Sequence, residues 1–97
     1  MSYLEEVALA RRLALLLALY FAAGYTSSLM LLRAHLEQVG YIASVDLMQT
    51  ELAWLAEQGL VEALASGAHR LTARGEDVAL GRSQTPGVRR PAPGEAI

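Results

Sequence analysis

Glycines at 24, 40, 59, 67 and 81 cut the first 81 residues into stretches that each hold one or two structural elements. Glycine enters the left-handed backbone region at little cost, so each is a natural stop for a helix or the bend of a turn. Before Gly24, the spacing predicts a helix over Tyr3–Ala22. Val7, Ala10, Ala14, Leu17 and Phe21 recur at alternating three- and four-residue steps, with Leu13 beside them, and are expected to face the core. Leu15 and Leu19, with Ala8, Ala18 and Ala22, form a second apolar face. A helix apolar on nearly all sides is central or shared. In a chain this small the second face is expected to meet a second copy, so Leu15 and Leu19 are candidate interface residues of a homodimer.

After Gly24, Tyr25-Thr26 offers no more than a strand stub. Ser27 can cap a second helix that runs to Val39, with Leu29, Leu32, Leu36 and Val39 inward. Gly40–Ala43 makes a tight turn, and Ser44 caps a third helix to about Gln58, with Asp46 at its positive end. Leu60–Leu64 and Ala68–Leu71, joined by Ala65-Ser66-Gly67, read as a β-hairpin. Thr72 caps a last short helix, Ala73–Leu80. Pro86, Gly87, Pro91, Pro93 and Gly94 then rule out regular structure, and 82–97 is expected to be an extended, flexible Pro/Gly/Arg tail.

The resulting class is mainly α with a small β-hairpin. Its order of helix, helix, turn, helix, hairpin, helix is that of a winged helix-turn-helix domain over 1–81. Two junctions sharpen this reading. In Leu52–Val61, Leu52 and Leu55 anchor the third helix, Gly59 reverses the chain, and Leu60-Val61 re-enter the core. In Leu71-Thr72-Ala73-Arg74-Gly75, the leucine plugs the core, the threonine caps, and the glycine permits close backbone approach.

Arg11-Arg12-Leu13, Ala23-Gly24-Tyr25, Thr50–Leu55 and Pro86–Pro91 together resemble a family of small proteins of Mu-like phages and prophages. Its members are sometimes labelled ArsR-like regulators. The resemblance spans nearly the whole chain and implies a winged-helix fold, a bacterial host and a role in transcription regulation. Where relatives carry arginines in the third helix, this chain has Leu47, Met48 and Gln49.

Charge bears directly on that implied role. Residues 1–81 hold nine acids and five arginines, a balance of −4. The tail holds Arg82, Arg89 and Arg90 against Glu95, a balance of +2. From Ser44 to Gln58 there are three acids and no base, so the helix that would enter a DNA groove carries the sign that phosphates repel. Two readings follow. As a homodimeric DNA-binding regulator, the chain would use Gln49 and Thr50 on the third helix, Arg70 in the wing, and Arg89 and Arg90 in the tail. As a protein–protein interaction module of the same fold, it would use Leu47 and Trp54, one heptad apart. Fold and resemblance place the regulator narrowly first; the acidic helix argues for the module.

No enzyme is expected. His35 and His69 lack companion ligands at metal-binding spacing, the serines serve as caps, and no glycine-rich phosphate loop is present. No metal, cofactor or small-molecule ligand is therefore called for. Cysteine is absent, which excludes disulfides and cysteine-held zinc. The longest apolar run, Leu13–Ala23, has eleven residues, about half a membrane span. A soluble protein of the bacterial cytoplasm is expected.

Overall fold

The computed structural model describes residues 2–95; Met1 of the predicted domain and Ala96-Ile97 of the predicted tail lie outside the described residues. Helix α1 (Tyr3–Phe21) starts at Ser2, whose hydroxyl accepts from the Glu5 amide, with Glu5 and Glu6 at the positive end. A single 3₁₀ turn (Ala23–Tyr25) leads into strand β1 (Thr26–Ser27). Helices α2 (Leu29–Gln38) and α3 (Val45–Glu57) follow, then strands β2 (Val61–Ala63) and β3 (His69–Leu71) and helix α4 (Ala73–Ala79). The architecture is mainly helical with a small antiparallel sheet, ordered β1-β3-β2.

The hairpin forms where expected, with Val61 opposite Leu71 and Ala63 opposite His69. The predicted stub becomes a third strand: Thr26 pairs with Arg70 and Ser27 with His69. That pairing decides which serine caps α2. Ser27 is taken into the sheet, so the Leu31 amide donates to Ser28 Oγ instead, at 3.2 Å. The Ser44 and Thr72 caps form as predicted, accepting from the amides of Leu47 and Gly75. At the last junction, a methyl group on Gly75 would collide with the Leu60 carbonyl oxygen, so the exit from β3 requires the missing side chain.

The core gathers Leu13, Leu15, Leu16 and Leu19 of α1 with Leu32 and Leu36 of α2 and Met48, Leu52 and Leu55 of α3. Leu60, Val61, Leu71 and Val78 close it from the hairpin and α4. This reverses the two predicted faces of α1. Leu15 and Leu19 are completely buried within one chain, so they are core residues and cannot meet a second copy. The stripe expected to be core is the one left outside, with Val7, Ala10, Ala14 and Leu17 half-buried and Phe21 64% exposed. Area explains the choice. Four leucines remove far more apolar surface from water than a stripe centred on two alanines, at about 25 cal/mol per Å².

Past Gly81 the chain has no helix or strand up to Glu95, as the prolines dictate, but it is packed against the body. Thr85 is 2% and Val88 7% exposed, and the Arg89 amide donates to the Leu9 carbonyl of α1 at 3.2 Å. The described part of the expected flexible tail is therefore a strap. Apolar Val88 and hydrogen-bonded Thr85 hold it down where its composition alone suggests looseness.

Candidate interaction surfaces

The strap is fastened around one buried acid. Glu51, on the inward side of α3 between Met48 and Leu55, is 3% exposed. It accepts from Nε of Arg11 at 3.2 Å and Nε of Arg12 at 3.1 Å. Two bases around one carboxylate meet the requirement that a buried charge be paired. Arg12 does more: its Nη1 donates to the Gly87 carbonyl at 3.0 Å, and its guanidinium lies over the Trp54 ring. Trp54, predicted for a protein-binding stripe, is thus half-buried beneath Arg12 and the strap, and Leu47 is half-buried against the core. The sequence carries a signal for this cluster. Two consecutive arginines deep in an apolar helix need an acid, and Glu51 is the acid placed at a core position.

The outer side of α3 exposes Asp46, Gln49, Thr50, Ala53 and Glu57. With Glu51 neutralised inside, two acids remain on that face, and no base accompanies them. Gln49 and Thr50 are adjacent and free in geometry to hydrogen-bond a partner. The other predicted DNA contacts lie elsewhere and are engaged. Arg70 forks onto Glu62 across the hairpin. Arg89 pairs with Glu95 at 2.7 Å, and Arg90 donates to the Gly81 carbonyl at 3.4 Å. Burial alone would raise the Glu95 carboxyl, but the Ala92 amide and the Arg89 guanidinium outweigh it and hold the group below its ordinary range.

The remaining arginines are satisfied in the same way. Arg33 donates to the Ala43 carbonyl at 2.6 Å, Arg74 to the Gln58 carbonyl at 3.1 Å, and Arg82 pairs with Glu76 and Asp77. All eight arginines of the chain, which has no lysine, have intramolecular acceptors.

A trough runs along the outward stripe of α1. One end, of about 490 Å³, is lined by Tyr3, Val7 and Ala10. The other, of about 410 Å³, is lined by Ala10, Ala14, Leu17 and Phe21, with His35 and Val39 of α2 as its wall. Tyr41 and Arg89 border both parts. Further large apolar side chains stand exposed on the α2 side: Met30, Leu31, and Ile42 at 83% in the turn before α3. Among the described residues, no group of three His, Asp or Glu side chains is arranged to hold a metal ion, and no helix is long and apolar enough to cross a membrane.

Comparison with known proteins gives one relationship. The chain is similar to the uncharacterized protein gp26 of Escherichia phage Mu, 43% identical over 61 residues, covering 60% of this chain and 64% of the phage protein. It therefore spans a little under two thirds of the relative that it matches. No family model matches the chain. No solved structure matches it either. This similarity to a phage Mu protein agrees with the phage part of the sequence resemblance and says nothing of its winged-helix or regulator part.

Proposed function

We infer that the chain is a winged helix-turn-helix domain that acts through protein contacts rather than by binding DNA. The winged-helix reading is supported by element order: α2, a tight turn and α3 precede a hairpin whose third partner, β1, lies before α2. In such a domain α3 is the helix that would enter the major groove.

One observation carries the choice of partner. Every arginine is already engaged within the chain, while Asp46 and Glu57 stand on the outer face of α3 without a base beside them. Arginines already paired with acids, as Arg70, Arg82 and Arg89 are, have less charge to offer a phosphate backbone, so counterion release would contribute less. Apolar side chains exposed on α1, on α2 and in the turn before α3 supply the kind of surface that marks protein contact. The adjacent, exposed Gln49 and Thr50 support the second reading, a regulator that reads base edges through two uncharged side chains.

Fluorescence anisotropy with a labelled random duplex separates them. At roughly 50 mM salt the interaction module gives no binding at micromolar protein, whereas phosphate contacts would be near their strongest. Micromolar affinity that collapses by roughly 200 mM salt would establish the DNA reading.

A further inference from the structure

We propose that the outward face of α1 is a self-complementary seam that pairs antiparallel with the same face of a second copy. The inference rests on reading the chain as a protein-contact module, and it names the partner. Tyr3, Val7, Ala10, Ala14, Leu17 and Phe21 follow steps of four, three, four, three and four, the spacing of the apolar positions of a coiled coil. All six line the trough, with Tyr3 and Phe21 exposed at its ends and Val7, Ala10, Ala14 and Leu17 half-buried along its floor, where Ala14 and Leu17 also touch the core.

The order of side-chain sizes points to the occupant. An antiparallel partner related by a two-fold axis midway between Ala10 and Ala14 sets Ala10 against the partner's Ala14. The same axis sets Val7 against the partner's Leu17 and Tyr3 against the partner's Phe21. Small residues meet at the centre, where helices approach most closely, aliphatic residues meet aliphatic ones, and the two exposed aromatics close the ends. A two-fold interface has this reciprocity by construction. At about 1.5 Å per residue the seam is about 28 Å long, enough for four turns or more of helix contact.

Charge selects the same orientation. Glu5 and Glu6 are exposed near the Tyr3 end, and neither has an arginine partner. Parallel pairing would place each beside its own copy. Antiparallel pairing carries them to the partner's Phe21 end, where α1 has no acid from Val7 to Phe21 and His35 lines the wall. The other charged groups bordering the trough, Arg89 and Glu95, neutralise one another.

Sedimentation equilibrium of the full chain from about 1 to 100 μM tests the seam. The expected result is a monomer–dimer equilibrium that Ala14→Glu weakens by about 100-fold or more, because the new carboxylate would be desolvated at the centre. Phe21→Ser, at a side chain 64% exposed, weakens it without touching the core, so loss of folding is not confused with loss of pairing. Orientation is read by cross-linking, since the chain has no native cysteine. A mixture of Ala10→Cys and Ala14→Cys chains should form disulfides faster than either alone. A strictly monomeric chain, a dimer indifferent to both substitutions, or faster self-linking of one cysteine variant would each overturn the proposal. None of these outcomes bears on the DNA measurement, so the seam and the interaction reading fail separately.

Discussion

The guanidinium carbon of Arg12 lies 4.4 Å from the centre of the Trp54 ring, in cation–π contact. The same side chain donates to the buried Glu51 carboxylate and to the Gly87 carbonyl of the strap. One residue on α1 therefore joins α3 to the C-terminal strap. Arg12→Met keeps much of the apolar stem but removes every one of these contacts. Arg11 still pairs with Glu51, so the expected loss is about 2–4 kcal/mol, short of abandoning the carboxylate altogether. Urea unfolding measures it, and a loss below about 0.5 kcal/mol would mean that the cluster contributes little. Trp54 is the sole tryptophan, so its emission should shift to the red as its cover loosens.

Gly87→Ala tests the strap from the other side. Gly87 has φ of 98°, and a methyl there would come within 2.7 Å of the Trp54 ring. Both the backbone and the ring oppose the substitution, and the expected cost is about 1–2 kcal/mol. The strap yields before the core does. Trypsin should then cut after Arg89 much faster than in the parent chain, since Pro91 protects the bond after Arg90, while α-helical circular dichroism stays the same. Unchanged cleavage would show that the strap does not depend on this contact.

Gly75→Ala acts on the junction between the hairpin and α4. The added methyl has no room beside the Leu60 carbonyl, and the Leu71 side chain crowds it from 2.7 Å. Backbone cannot move aside as a flexible side chain can. A loss of about 2–3 kcal/mol is expected, visible as a lower Tm. Ala73→Gly, on the exposed side of the same helix, should cost no more than about 1 kcal/mol. Equal losses at the two sites would mean that close approach at Gly75 is unimportant.

Features set by near neighbours were legible in the residues themselves. Ser44 and Thr72 cap as expected, and the Leu71–Gly75 exit forms because its leucine, threonine and glycine each meet a local demand. Features set by distant partners were not. A helix with two apolar faces does not say which of them meets the core, and the leucine side of α1 wins only when the rest of the core is present to be covered. Strand β1 is two residues long and owes its existence to β3, more than forty positions away. Glu51 makes sense inside α3 only beside Arg11 and Arg12. Proline and glycine at 86–94 correctly exclude helix and strand, but they carry no information on whether Val88 is packed. Of the candidate DNA contacts, Gln49 and Thr50 are exposed, whereas Arg70, Arg89 and Arg90 are bound to neighbours that only the fold brings near.

His69 gives a pH-dependent prediction. It sits in the central strand, opposite Ser27 on one side and Ala63 on the other, and its buried Nδ1 has no hydrogen-bond partner. Burial disfavours the charged ring and lowers its pKa from the ordinary 6.5. Between that lowered value and 6.5 the unfolded chain binds more protons than the folded one. Stability from this residue is thus complete above about pH 6.5 and declines as the pH falls through that window. His69→Val removes both the unsatisfied nitrogen and the titration and suits a strand. It should raise stability by about 1 kcal/mol at neutral pH and flatten the decline on the acid side. Urea midpoints from about pH 7.5 to pH 5 read both effects. A variant with the parent's slope would assign the decline to other groups, and a less stable one would show that Nδ1 is satisfied in solution.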